Sequence, residues 1–458
     1  MKVLICGAGQ VGFGIAERLS QERNDVTVID TSPRLISVIS DVLDVRGIVG
    51  HGSHPDVLDS AGAADTDMII AVTLFDEVNM MACQIAHTLF EIPTKIARVR
   101  AQSYLEPRWK NLFSREHMPI DVVISPEVEV GESVMRRLAY PGAFETVTFA
   151  EGTISAVGVS LKEDCPVVDT PLSQLSQLFP DLKAVVVGVV RNGEVFVPRS
   201  ADQMLVGDDV YFVADSTQVD RTLGIFGHSE TQAHRIIIAG AGNIGRYVAG
   251  QLEERNTRAH VKMIEASREV AAEAADNLRR TVVLHGSALD QAVLAEAGAG
   301  DAEVFVALTN DDKVNLLASV MAKGAGCGQA LSLLIDNSYA RLKGPLGVDA
   351  LINPRTTTVS TILRHVRRGR IRGVHSLSDG AAEVMEAEAL ETSPLIGKPL
   401  REAQLPAGTR IGAVQRGDAI LIPNGDMRIA PHDRIVIFAL ADAVHAVEQM
   451  FRVSLEFF

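Results

Sequence analysis

Apolar and polar positions along the first 138 residues follow two alternating periods. Val3, Leu4, Ile5 and Cys6 form a short apolar run, and Val11, Ile15 and Leu19 then recur at helical spacing. The first pattern predicts a buried strand at 3–6 and the second a helix at 10–20. Further apolar runs predict strands at 25–29, 68–72 and 95–99, with room for a helix between each pair. Strands alternating with helices of about 10–15 residues imply βαβ units and a doubly wound parallel sheet. From residue 139 the pattern changes. Residues 185–191, 193–198 and 209–214 are β-rich, and Asn192-Gly193 is a hairpin signal. The expected module there is small, α+β, and free of any nucleotide loop.

The pattern then starts again. Gly7-Ala8-Gly9-Gln10-Val11-Gly12 recurs 233 residues later as Gly240-Ala241-Gly242-Asn243-Ile244-Gly245. His51-Gly52-Ser53 returns as His285-Gly286-Ser287, Thr73 with Asp76 and Asn79 as Thr309 with Asp312 and Asn315, and Ile124-Ser125-Pro126 as Ile352-Asn353-Pro354. The order is kept, as an internal repeat requires. The β-rich segments repeat more faintly, with Asp209-Val210-Tyr211-Phe212-Val213 answered by Asp433-Arg434-Ile435-Val436-Ile437. The expected fold class is therefore α/β, with two tandem Rossmann-like doubly wound parallel sheets, each followed by a small α+β subdomain. The expected boundaries are 1–138, 139–228, 233–372 and 373–458, with a short polar linker at 228–232.

Composition narrows the function classes. Forty-three Lys and Arg against 58 Asp and Glu leave a net charge of −15, which argues against a nucleic-acid partner. Hydrophobic residues make up 47% and aromatics only 5%, the balance of parallel sheets covered on both faces by helices. Cys6, Cys83, Cys165 and Cys327 stand far apart and read as free thiols of a reducing compartment. The apolar runs fall short of the roughly 20 residues that span a bilayer. The opening segment fits a strand and tight turn better than a leader. A cytoplasmic protein is expected, reaching any membrane through a partner.

A single GxGxxG is weak, but here each copy follows a strand, opens a helix and is answered by an acidic residue ending the next strand: Asp30 and Glu265. Gly7 and Gly240 permit the tight turn, Gly9 and Gly242 admit a pyrophosphate, and Gly12 and Gly245 allow close helix packing. The carboxylate suits both ribose hydroxyls and repels a 2′-phosphate, so NAD or an adenine nucleotide is favoured over NADP. Ser53 and Thr73-Leu74 follow apolar runs and are placed at the carboxyl ends of strands, where the ligand lies. Arg98 offers a charge to a phosphate or is a surface arginine on a strand. The second half has Leu333 at that position, so the two sites treat a phosphate differently. His51, His54 and Asp56 read as a polar loop beside the nucleotide rather than as metal ligands, because no third His or Cys stands nearby. Val359, Ile362, Leu363 and Val366 open an amphipathic helix that runs into the basic cluster at 364–372, read as a buried apolar stripe with solvated arginines or as a contact for an anionic partner. No catalytic residue is assigned, since the small modules carry no repeated acid/base group. Two nucleotide folds with small appendages then read as a ligand sensor, with an NAD-dependent oxidoreductase as the alternative.

These motifs in this order resemble the TrkA-type regulatory subunits of bacterial Trk potassium-uptake systems, built from tandem RCK (KTN) domains. The resemblance rests on the glycine loops, on His51-Gly52-Ser53-His54-Pro55-Asp56, on Ile96-Ala97-Arg98-Val99-Arg100, on Asp76-Glu77 with Asn79-Met80, on the His365-Val366-Arg367-Arg368 run and on Phe457-Phe458. It implies a non-enzymatic cytoplasmic subunit, peripheral on the inner face of the membrane. Such a subunit assembles as a homo-oligomeric ring, a tetramer of tandem chains, and gates a membrane potassium-conducting partner. It implies NAD(H) and the adenine nucleotides ATP and ADP as ligands. The contacts carried over are Gly7, Ala8, Gly9, Gln10, Val11, Asp30, Thr73, Leu74 and Arg98, then Gly240, Ala241, Gly242, Asn243, Ile244, Glu265, Ser287, Thr309 and Asn310. Leu74-Phe75 departs from the family's usual Thr-Asn-Thr-Asp run, and Glu265 replaces an aspartate. A nucleotide-sensing subunit of another transporter is the further alternative.

Overall fold

A computed structural model describes residues 1–22, 24–228, 232–256, 258–366 and 371–451 of the chain, which form four sheets. The first large sheet has the strand order Arg46–Val49, Asp25–Asp30, Lys2–Cys6, Met68–Ala71, Thr94–Arg98, Val122–Ile124, all parallel. The second repeats it with Val282–His285, His260–Glu265, Arg235–Ala239, Val304–Ala307, Gln329–Leu333 and Ala350–Ile352. In each, the order reverses beside the strand that precedes the glycine loop. That reversal opens the crevice at the carboxyl edge where doubly wound sheets take ligands.

The two small sheets are antiparallel, each with five strands. In the first, Ala184–Arg191 turns into Glu194–Phe196 through Asn192 and Gly193, both at positive φ (54° and 84°), as the hairpin signal implied. Each small sheet presents a glycine notch to a bulky side chain of the other. A Cβ on Gly188 would come within 2.5 Å of the Phe438 ring, and one on Gly412 within 2.6 Å of Val213. Phe149, Tyr211, Val384 and Phe438 share one buried cluster around these notches. His375 Nε2 and the Tyr211 hydroxyl meet the two oxygens of Glu145 at 2.8 and 3.1 Å, adding a polar seam.

Contacts divide the chain into two compact units: Met1–Met135 with His234–Val366, and Arg136–Ala233 with Arg367–Phe458. Like is paired with like, large sheet with large and small with small.

Within the first unit the last helix of each half crosses to the other half. The stripe Val359, Ile362, Leu363 and Val366 of the Pro354–Val366 helix packs into the core of the first sheet, against the Gln10–Gln21 helix. Burying each such side chain contributes roughly 1.5–3 kcal/mol. Reciprocally, Gly131 and Glu132 of the Pro126–Ala139 helix meet Tyr247 on the Asn243–Arg255 helix of the second half. The buried-stripe reading of 359–366 therefore holds, with the other half's sheet as its partner. Most of the basic cluster (367–370, with the side chains of Arg364 and Arg372), residues 229–231 of the linker and the terminal phenylalanines lie outside the described residues.

Candidate nucleotide sites

Each glycine loop is shaped by contacts that only glycine tolerates. Gly7 has φ +113° and Gly240 φ +105°, and a Cβ on either would press to 3.0 Å against the backbone of the loop holding Thr73 or Thr309. A Cβ on Gly12 would overlap the carbonyl oxygen of Gly7, and one on Gly245 that of Gly240. Gly9 and Gly242 differ, because a Cβ there meets nothing within 4 Å. That open space sits at the N-terminus of a helix of 12 residues in one half and 13 in the other. Neither helix has a side-chain cap or an acidic residue in its first turn. Unpaired amides, the helix dipole and an open cradle together suit a phosphate group.

Asp30 and Glu265 hold this loop in place. Asp30 accepts from the Ala8 and Ser32 amides at 2.7 and 2.8 Å. Glu265 accepts from Ala241 and Ser267, both at 2.8 Å. The longer Glu265 thus makes the same two bonds as the aspartate it replaces. A carboxylate has about four acceptor sites, so each retains capacity for ribose hydroxyls.

The loop after the fourth strand is built around a buried amide. Asn79, fully buried, accepts at Oδ1 from the Thr73 amide (2.8 Å) and hydroxyl (2.7 Å), and donates from Nδ2 to the carbonyls of Thr73 (3.2 Å) and Arg98 (2.9 Å). Asn315 does the same for Thr309 and Leu333. The Thr73 hydroxyl proton is therefore committed inside the protein. Leu74 is 72% exposed at the mouth. Asp76 accepts from the amides of Arg100 and Ala101, as Asp312 does from Ile335 and Asp336. These four clips were visible in the sequence only as repeated positions, and their roles need the fold.

Arg98 is no surface arginine. It ends its strand at 9% exposure, and its buried Nε has no hydrogen-bond partner among the described residues. Burial pulls its pKa down and the Arg100 charge adds to this, while Glu127 and Asp76 oppose it. An arginine stays charged regardless, so this corner holds a largely desolvated cation with one unpaired N–H beside the Glu127 and Asp76 carboxylates. Beside it Arg100 Nε donates to Glu127 Oε1 at 2.9 Å, and the other Glu127 oxygen is buried with no hydrogen-bond partner among the described residues. Neither Arg100 nor Glu127 stood among the expected contacts.

The second corner has apolar residues at two of these three positions and a cation at the third. Leu333, 2% exposed, occupies the Arg98 position, Ile335 replaces Arg100, and Arg355 replaces Glu127. Ser53 Oγ lies 2.9 Å from His51 Nδ1, and His51 stacks on His54 at 4.6 Å. Ser287 instead accepts from the Leu289 amide at 3.2 Å, and exposed Asn310 stands beside Thr309. The four cysteines are free and buried, Cys6 with its thiol pushed up to about 12 by burial.

The chain is similar to known proteins along its length. The TrkA-N domain family matches residues 3–126 and 236–354, and the TrkA-C domain family residues 156–227 and 384–452. The chain is 60% identical over 458 residues to the Trk system potassium uptake protein TrkA of Azorhizobium caulinodans, covering 100% of both. It is 40% identical over 462 residues to the protein of that name from Halomonas elongata, again over 100% of both. Among solved structures it resembles the GsuK channel, with 17% identity and a TM-score of 0.63 over 98% of this chain and 78% of that one. A GsuK channel bound to NAD matches with 16% identity and a TM-score of 0.61 over the same shares. At these identities the likeness concerns the fold.

Proposed function

The chain belongs to the TrkA family of Trk-system potassium uptake proteins, and from that premise we propose that it senses nucleotides for a membrane potassium transporter. It serves potassium uptake as a regulatory protein and not as an enzyme. No helix among the described residues is long and apolar enough to cross a membrane. In this reading the conducting path belongs to a membrane partner, and the chain acts from the cytoplasmic face as part of a homo-oligomeric ring, a tetramer of tandem chains. Both glycine loops take NAD(H) or an adenine nucleotide, with the pyrophosphate on the helix N-terminus and Asp30 or Glu265 on the ribose. A nucleotide that binds two ring conformations unequally shifts the balance between them, and with it the gate.

The observation that carries this reading is Arg98, a buried arginine whose Nε has no hydrogen-bond partner among the described residues, beside an uncapped helix and an open glycine cradle. A phosphate there completes a charge-assisted contact worth about 1.5–3 kcal/mol. Calorimetric titration of the full chain with NAD+, ADP and ATP tests it. The expected result is binding that Arg98→Leu weakens roughly 10- to 100-fold for ATP or ADP. Unchanged affinity in that variant removes Arg98 from the site, and no binding of any of the three sinks the nucleotide reading. For the potassium role, deletion of the chain from its own cell should impair growth at low potassium, and normal growth would count against it.

A further inference from the structure

The exchanged helices begin and end at places that bear on both nucleotide sites. The Pro126–Ala139 helix starts at the carboxyl edge of the first sheet, where Glu127 holds Arg100 beside Arg98. Five residues on, about 7.5 Å along the axis, Glu132 accepts from the Tyr247 hydroxyl at 2.6 Å and from Arg255 at 2.8 and 3.0 Å. Tyr247 and Arg255 belong to the Asn243–Arg255 helix, whose N-terminus is the second phosphate cradle. The Tyr247 ring fills the space beside Gly131, where a Cβ would come within 2.2 Å of it.

The other exchanged helix mirrors this. Pro354–Val366 starts at the carboxyl edge of the second sheet. Arg355 sits over the Phe13 ring at 5.6 Å and pairs with Glu17 at 3.6 Å, while Val359 packs against Gly14. Phe13, Gly14 and Glu17 ride on the Gln10–Gln21 helix of the first cradle. The small residue sits on the cradle helix in one crossing (Gly14) and on the exchanged helix in the other (Gly131). Between them Thr361 Oγ1 donates to Glu129 at 2.8 Å, tying the exchanged helices to each other.

We propose that the two nucleotide sites are energetically coupled through these exchanged helices, with Glu132 on Tyr247 and Arg255 as the main clamp. The inference rests on the nucleotide reading above and adds the regulation of those sites. A ligand that draws Arg98 and Arg100 toward its phosphates disturbs Glu127 at one end of a stiff helix, and the clamp transmits that to the second cradle. Linkage makes the effect reciprocal, and couplings of this kind amount to about 5- to 150-fold in affinity.

The test uses the full chain and NAD+. Gly9→Val and Gly242→Val fill one cradle each, at positions where an added Cβ meets nothing within 4 Å, and so give the affinity of each site alone. The product of the two single-site constants is compared with the product of the two constants of the wild-type chain. The expected difference is at least fivefold in either direction. It should fall to within about twofold when the same set is built on Glu132→Ala. Tyr247→Phe, which removes one hydroxyl and keeps the ring, is the second variant should Glu132→Ala fail to fold, and it should reduce the coupling in the same sense. Equal products in the wild-type background overturn the proposal, as does coupling that survives both clamp variants. Absence of any NAD+ binding to the wild-type chain would instead bring down the nucleotide reading and the coupling together.

Discussion

The two glycine-loop sites are built from the same backbone parts and lined by different chemistry. Asn79 and Asn315 clip equivalent loops with the same four bonds, Asp76 and Asp312 cap the same turns, and Asp30 and Glu265 brace the same amide. Where a ligand's phosphates would lie, the halves part company: Arg98, Arg100 and Glu127 face Leu333, Ile335 and Arg355. Polar groups that pay for a buried loop turn cannot vary without leaving orphaned amides and carbonyls. Side chains that face a ligand answer only to that ligand, and duplicated sites diverge there. On the nucleotide reading proposed above, the first site would favour charge and the second a less highly charged or differently placed group.

The comparison can be broken most severely at the glycines. Gly12→Ala and Gly245→Ala should each destabilise the protein by about 3 kcal/mol or more, since a backbone carbonyl must move to admit the methyl. Gly9→Ala and Gly242→Ala should leave the melting temperature unchanged within error and act on ligand binding alone. Differential scanning calorimetry separates the pairs, and a shared stability loss would refute the cradle geometry. Next, Asn79→Ala and Asn315→Ala should cost about 2–3 kcal/mol apiece by stranding buried backbone groups. Similar losses in the two halves would confirm that the clips serve the fold, and a loss in one half alone would refute it.

Arg98→Leu sharpens the comparison by giving the first site the second site's residue. Removing a buried charge whose Nε lacks a partner should raise ligand-free stability by about 1 kcal/mol while it weakens ATP binding. A fall in stability in urea titration would show that Arg98 already has a structural partner. The smallest effect belongs to the exchange Asp30→Glu with Glu265→Asp. Because both carboxylates make the same two bonds, stability should move by no more than about 0.5 kcal/mol and NAD+ affinity by about twofold. A tenfold change in one half would assign that carboxylate a ligand role its counterpart lacks.

Much of the site was legible before the fold was seen, because its parts are local. The spacing Gly7, Gly9, Gly12 with Asp30 describes one strand, one turn, one helix and the next strand end, all settled by short-range sterics. Arg98 was legible as a charge near a phosphate but not as a buried one, since a strand of a covered sheet shows no exposed face in its alternation. Glu127 escaped notice for a different reason. Its importance comes from Arg100, 27 residues away, and only the packing of the last strand beside the fifth brings them together.

The sequence by itself determined the duplicated plan, the parallel and antiparallel sheets and the two tight glycine turns. Each of these follows from periodicity and from glycines whose conformations other residues resist. Only the tertiary structure decided which surfaces the amphipathic helices cover. The stripe Val359, Ile362, Leu363 and Val366 states that one helical face must be buried, and the hydrophobic effect that buries it has no direction and names no partner. The choice of the other half's sheet, which places each half's last helix on its neighbour's cradle, was made by shape: a glycine opposite a bulky side chain at each crossing.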